Sequence, residues 1–327
     1  MGYSTTTEKF DEFLNSIGGE YNIYAPVDME GMGRFSDTDS VRYEKIKSIA
    51  DIEFVRKSDF SPKEVLLPIT QTLFYFTEDS VKEPKISDKK ILLFLRSCDI
   101  HAIKRLDQIY LKSGFEDIYY KELRQKVKLV LMECEHSFEN CFCTSMNSNK
   151  TDEYNMFVRY RDGKVFVECR DECFGKYFEN TETCDLKPEF VEENDINVNV
   201  PENVDESIIK SPVWKEYSSR CIACGRCNVV CGTCTCFSMQ DIFYSQNKNA
   251  GERRRVWSSC EVDGYTDIAG GHSFRQDKGD RMRFKVLHKI SDFKKRFGYN
   301  MCVGCGRCDD SCPEYISFSK CINKLSK

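Results

Sequence analysis

Apolar residues fall into distinct rhythms along this chain. In Lys89 to Leu111, KKILLFLRSCDIHAIKRLDQIYL, a continuous apolar run from Ile91 to Leu95 predicts a buried strand. Ile100, Ile103, Leu106, Ile109 and Tyr110 then recur at helical spacing. KVKLVLMEC (Lys126 to Cys134) predicts a second strand, and MFVRYRDGKVFVEC a hairpin turning at Asp162-Gly163. KEVLLPITQTLFYF (Lys63 to Phe76) mixes short apolar runs with amphipathic ones. Strands alternating with helices predict an α/β domain over residues 1–190. The rhythm breaks in KPEFVEENDINVNVPENVDES (Lys187 to Ser207), acidic and rich in Asn, which predicts a linker at 191–212.

After the linker, cysteine spacing replaces hydropathy as the main signal. Cys302, Cys305, Cys308 and Cys312, followed by Pro313, follow the bacterial ferredoxin pattern C-x2-C-x2-C-x3-C-P. Cys221, Cys224, Cys227 and Cys231 repeat it, with Gly232 in place of proline. Two-residue gaps wrap three thiolates around one face of a cubane, and Gly304 and Gly306 allow the positive φ this needs. The fourth cysteine of each run points away, toward the other cluster. The expectation is one [4Fe-4S] cluster on Cys221, Cys224, Cys227 and Cys312, and another on Cys302, Cys305, Cys308 and Cys231. Residues 213–327 would then be a dicluster ferredoxin-like module, split by an insert at about 237–298. A zinc ribbon, the competing reading, fits four cysteines inside so short a run poorly. Glycine at 232 makes the turn looser and leaves Cys234 as the other candidate for Cys231's place. Otherwise Cys234, Cys236 and Cys260 read as small buried residues near a cluster.

The first domain carries its own cysteines. Cys98 and Cys134 stand at the ends of predicted strands, and Cys141 and Cys143 follow in ENCFCTSM. Strand ends are where ligands gather in α/β sheets, so these four are a candidate third [4Fe-4S] site. Their irregular spacing alone leaves core packing equally open. His101 and His136 read as hydrogen-bonded structural residues, and Arg96 and Asp99 as donors to, or caps of, the local backbone. Cys169, Cys173, Cys184 and Cys321 show no grouping and read as structural.

Composition sets the surroundings. Nineteen cysteines at tight spacings, in a chain that opens with the polar MGYSTTTEKFDEF, argue for metal thiolates in a reducing, anaerobic cytoplasm rather than disulfides. A net charge of −5 with mixed signs gives no footprint for nucleic acid, and no apolar run is long enough to span a membrane. Met1-Gly2 with Thr6 fits an acylation pattern only loosely. EGMGRFS (Glu30 to Ser36) lacks the third glycine and preceding strand of a dinucleotide fingerprint. With no nicotinamide, flavin or phosphate-loop motif, the chain is expected to move electrons between partners supplied by other chains.

RSCDIHAIKRLD, CFCTSM, RCIACGRCNVVCGTCTC, VWSSC, GGHSFR, RMRFKVLHK and CVGCGRCDDSCP occur in the order of the A subunit of anaerobic sulfite reductase. The chain resembles that family over nearly its whole length, and more loosely the iron–sulfur β subunits of cytoplasmic NiFe hydrogenases and sulfhydrogenases. The resemblance implies a cytoplasmic complex in which an FAD subunit takes electrons from NADH and a siroheme subunit reduces sulfite to sulfide. This chain would be the non-catalytic relay between them. The resemblance also favours the third cluster on Cys98, Cys134, Cys141 and Cys143. The alternatives are the β subunit of a cytoplasmic hydrogenase or sulfhydrogenase, and, from another class, a structural metal-binding protein.

One stretch of the insert, Gly270 to Asn300, is basic within an acidic chain. Arg275, Arg281, Arg283, Lys285, His288 and Lys289 form either a docking surface or a source of positive charge that raises cluster potential. The plainer reading is a solvated helix burying Met282, Val286, Leu287 and Ile290.

Overall fold

The computed structural model describes residues 2–35 and 37–326. Met1, of the acylation pattern, and Ser36, which ends EGMGRFS, lie outside the described residues. The first half supplies β1 (Gly2–Thr6), β2 (Tyr21–Met29), β3 (Ser40–Lys45), β4 (Thr70–Phe76), β5 (Val81–Lys82) and β6 (Lys90–Leu95). There follow β7 (Val127–Met132), β8 (Met156–Arg161), β9 (Lys164–Cys169), β10 (Glu182–Cys184), β11 (Phe237–Tyr244) and β12 (Asn247–Trp257).

Eight strands form one mixed sheet in the order β10-β1-β9-β8-β7-β6-β2-β3, and its centre, β2-β6-β7-β8, is parallel. Helices cover both faces, which explains the unbroken apolar run in β6. Leu92 and Phe94 enter the core under the helix Thr7–Ile17, while Ile91, Leu93 and Leu95 enter the core under the helix Ser97–Leu111. Ile100, Ile103, Leu106 and Tyr110 of that second helix are buried, as their spacing predicts. The hairpin β8–β9 turns at Asp162-Gly163, both at positive φ.

The second sheet, β11-β12-β4-β5, crosses the two halves of the chain. The hairpin β11–β12 belongs to the insert, and β12 pairs antiparallel with β4 from Gly251↔Phe76 to Val256↔Thr70. The insert is therefore stitched to the α/β half by a strand ladder, with Thr72 donating to Glu252 at 2.6 Å. The segment 191–212 is also packed down. Val198 joins a core with Trp214, Tyr217, Met282, Val286 and Ile322, and Asn194 accepts from the backbone and hydroxyl of Thr144. Among the described residues no helix is long and apolar enough to cross a membrane.

Candidate iron–sulfur sites

The parallel strands β6 and β7 lie side by side, so the segments leaving their carboxyl ends emerge together. Cys98 begins the helix after β6, and Cys134 follows β7 by two residues. The loop after Cys134 brings Cys141 and Cys143 back to them. Cys143 lies in the field of both Cys141 and Cys134, and Cys98 in that of Cys143. Burial pushes the Cys143 thiol up to about 12, and raises Cys134 and Cys98 too.

The two ferredoxin runs repeat one geometry. Gly225 and Gly306 sit at φ +74° and +73°, each opening a short helix, Arg226–Val229 and Arg307–Asp310. The amide of Ala223 donates to Cys221 Sγ and that of Gly304 to Cys302 Sγ, at 3.4 Å in each case. Ala223 and Gly304 are both left-handed, at φ +57° and +64°. Position 304, like 306 and unlike 223, demands glycine for space. A Cβ there would stand 2.4 Å from the Phe142 carbonyl oxygen, and the Phe142 amide donates to Gly304 O at 2.8 Å. The C-terminal run is thus laid backbone to backbone on the loop carrying Cys141 and Cys143.

The fourth cysteines cross over. Cys312 lines one small cavity with Cys221, Cys224, Cys227 and Cys308. Cys231 lies in the field of Cys302, Cys305 and Cys308. Gly232 packs against the helix Ser97–Leu111: a Cβ would be 3.1 Å from Ala102 Cβ and 3.3 Å from Ser61 Cβ. Glycine in place of proline thus goes with close packing at this turn. Cys234 and Cys260 are buried, and Cys234 lies in the field of Cys231 as well as of Cys236.

Buried cations face these thiols. The helix Lys278–Leu287 and the π-helical turn His288–Asp292 that continues it place Arg281, Lys285 and Lys289 on the same buried side as Met282, Val286 and Ile290. This corrects the expectation of a solvated or docking basic face. Arg281 is spent internally, on Asp263 and the carbonyls of Arg275, Glu261 and Gln276. Lys285 lies in the field of both Cys227 and Cys308. Lys289 Nζ donates to Thr233 Oγ1 at 2.7 Å and reaches Cys231 Sγ at 3.6 Å. Burial opposes ionisation of Cys231, yet Lys289 carries that thiol below the ordinary range. Both are buried; Lys289 has no carboxylate partner among the described residues, and Lys285 has only the buried Glu261 in its field, with no ion pair between them. Such an arrangement is costly unless negative charge is supplied by something bound. Thiolates on an iron–sulfur cluster supply it, and the all-thiol donor sets, every cysteine being free, are those such clusters take.

Sequence reasoning missed Lys57 and the full role of Asp99. Lys57 Nζ spans two thiol sets, 3.7 Å from Cys141 Sγ and 3.1 Å from Cys305 O, and pairs with Asp310 at 2.6 Å. Asp99 does not cap backbone; it pairs with Arg307. Arg96 does donate to backbone, to the carbonyls of Glu133, Phe54 and Arg56. His101 Nε2 contacts Lys150 O at 2.8 Å, as a structural histidine would. Nothing local in the sequence marks Lys57, which comes from a loop far from any cysteine.

Residues 220–316 match the family described as a 4Fe-4S dicluster domain, so the chain carries [4Fe-4S] clusters. No solved structure matches the chain. The chain is 30% identical over 336 residues to the sulfhydrogenase 2 subunit beta of Pyrococcus furiosus, covering 98% of this chain and 96% of that one. That match falls on the hydrogenase alternative rather than on sulfite reduction. From end to end, then, this chain belongs to the family of the sulfhydrogenase β subunits.

Proposed function

We propose that this chain is the electron-relay subunit of a cytoplasmic, hydrogenase-type oxidoreductase, standing between a flavin- and NAD-binding subunit and a catalytic subunit. In this reading Cys221, Cys224, Cys227 and Cys312 hold one [4Fe-4S] cluster, and Cys302, Cys305, Cys308 and Cys231 a second. Cys98, Cys134, Cys141 and Cys143 hold a third. When bound, such clusters accept and release electrons singly, at potentials set by charge, hydrogen bonds and burial.

The observation that carries the proposal is the continuity of the three thiol sets. Cys308 borders the cavity of the first set, and Cys305 packs with Cys98 of the third around Ala102 and Val303. The protein's own part is to hold the sets in file, exclude water from the inner two, and offset their charge with Lys285, Lys289, Lys57 and Arg307. The outer end opens at Cys224, which is exposed. Beside it lies a cleft of about 650 Å³ lined by Arg34, Phe35, Arg42, Phe60 and Arg226, where a partner's redox group would approach.

A second reading, the relay of an anaerobic sulfite reductase with a siroheme partner, is favoured by the ordered run of motifs from RSCDIHA to CVGCGRC. Anaerobic purification of the native complex separates the two. Nickel in the co-purified catalytic subunit supports the hydrogenase assignment, and a siroheme chromophore the sulfite reductase. Twelve irons per chain support three clusters, and an iron-free protein would end both readings.

A further inference from the structure

A cleft of about 270 Å³ lies where the helix Ser97–Leu111 meets the segment 294–300, which leads into the second ferredoxin run. Lys104, Arg105, Lys294, Tyr299 and Asn300 line it, and no acidic side chain does. Lys104 is turned to Glu153, but neither Arg105 nor Lys294 pairs with a carboxylate among the described residues. Arg105 is only 2% exposed. Its Nε donates to Asn300 O at 3.0 Å, and its Nη1 to His101 O at 3.0 Å and His101 Nδ1 at 3.2 Å. Nη2 is left without an acceptor among the described residues. His101 accepts at Nδ1 and meets Lys150 O through Nε2, so it steadies the guanidinium as a neutral ring and offsets none of its charge. The Tyr299 hydroxyl and the side-chain oxygen of Asn300 are enclosed and have no hydrogen-bond partner. Buried polar groups left unpaired are costly, and so is a buried cation without an anion.

We propose that this cleft binds free inorganic phosphate, and that its occupancy makes the second cluster harder to reduce. The second half of the proposal rests on the relay reading above. A tetrahedral oxyanion supplies the charge that Arg105 and Lys294 lack, and it accepts from Nη2, from the lysine ammonium and from the Tyr299 hydroxyl together. Hydrogen phosphate also carries a hydroxyl to donate to Asn300 Oδ1. Nothing in the cleft suits a larger, base-bearing phosphate. The Tyr299 ring, the one aromatic platform there, is already held by Arg105 at 4.7 Å and by Phe293 at 5.6 Å. Arg105 links the cleft to the relay, because it grips Asn300 O two residues before Cys302 and lies in the field of that thiol. An anion in the cleft cancels part of the positive field of Arg105, so an added electron on the cluster is less well balanced. By reciprocity, reduction weakens phosphate binding by the same factor.

The test uses the intact complex, purified anaerobically into chloride buffer and poised electrochemically. Inorganic phosphate, added at constant ionic strength, should lower the midpoint of the second cluster to a plateau in a titration followed by EPR. Lys294→Met should raise the half-saturating phosphate concentration roughly tenfold. Tyr299→Phe, which keeps the ring, should raise it too, while Lys295→Met at the neighbouring exposed position should leave it unchanged. Calorimetry of phosphate into the oxidised complex reads binding without any cluster signal, and iron analysis of the same samples reports on the relay, so the two readings fail separately. No binding at millimolar phosphate overturns the proposal. So does binding that leaves the midpoint where it was, equal behaviour of the Lys294 and Lys295 variants, or adenosine monophosphate binding more tightly than phosphate. A phosphate-blind complex that sheds a subunit on Lys294→Met marks the cleft as a protein contact and overturns it as well.

Discussion

Arg307 grips Asp99 with both arms of its guanidinium, Nη1 2.6 Å from Oδ1 and Nη2 3.0 Å from Oδ2, and neither side chain is more than 2% exposed. Asp99 adjoins Cys98, and Arg307 stands between Cys305 and Cys308, so the pair fixes the second thiol set against the third. Ser58 and Tyr43 complete its hydrogen bonds.

Breaking one side of this pair leaves a bare charge in the core. Arg307→Met should destabilise the protein by about 3–5 kcal/mol. The double variant Arg307→Met with Asp99→Leu should recover most of that. Anaerobic thermal unfolding of the two variants checks both statements, and equal midpoints for single and double variants would show that the charge is not the cause.

The buried lysines should set potentials. At about 5 Å and an effective dielectric near 20, one positive charge is worth about 3 kcal/mol, on the order of 100 mV for one electron. Lys285→Met should lower the potential of the cluster beside Cys227, and Lys289→Met that of the cluster beside Cys231. Titration followed by EPR should show Lys289→Met moving the second cluster's signal, and Lys285→Met moving both, because Lys285 faces Cys227 and Cys308 alike.

The two left-handed positions should respond in opposite directions. Gly304→Ala drives a Cβ into the Phe142 carbonyl, and should cost the protein the iron of the third site while sparing the first. Ala223→Gly removes the penalty of a Cβ at positive φ and should stabilise by about 1 kcal/mol. Iron content and thermal midpoint, measured side by side, test the contrast.

His288 gives a pH signature. Burial, with Lys289 and Arg296 nearby, takes its pKa down to about 4, and its ring stacks on Phe284 at 5.8 Å. The unfolded side chain titrates near 6.5. Its folded pKa is depressed, so the unfolded state binds the extra proton as pH falls from about 6.5 to 4, and stability is lost across that window. Half-burial reduces the effect to about 1–2 kcal/mol. His288→Gln should flatten the stability profile between those limits and leave it unchanged above pH 7.

What could be read in the sequence was whatever is governed by short-range order. The strand at Ile91 to Leu95, the helix after it, the turn at Asp162-Gly163 and the two cysteine runs are all local patterns. What could not be read depends on contacts far apart in the chain. β4 looks like any short apolar run until β12 arrives beside it, and Lys63 looks like a surface lysine until Trp257 covers it. The basic helix misled for a related reason. Charges at 281, 285 and 289 share a face with apolar residues, a pattern that makes sense only once the negative charge opposite is known. Cys236 and Cys260 are far apart in sequence and come to one end of the hairpin only through its register.

The sheet shared by the two halves also orders events at the ribosome. Thr72 leaves the exit tunnel 180 residues before its partner Glu252, an interval of about 10 to 40 s at ordinary rates of synthesis. Through that time β4 presents an uncovered edge and the N-terminal thiols lack the loop that seals them. Metal loading of this chain is therefore an affair of the finished polypeptide, and a nascent chain stalled before the hairpin would need a chaperone to shield it.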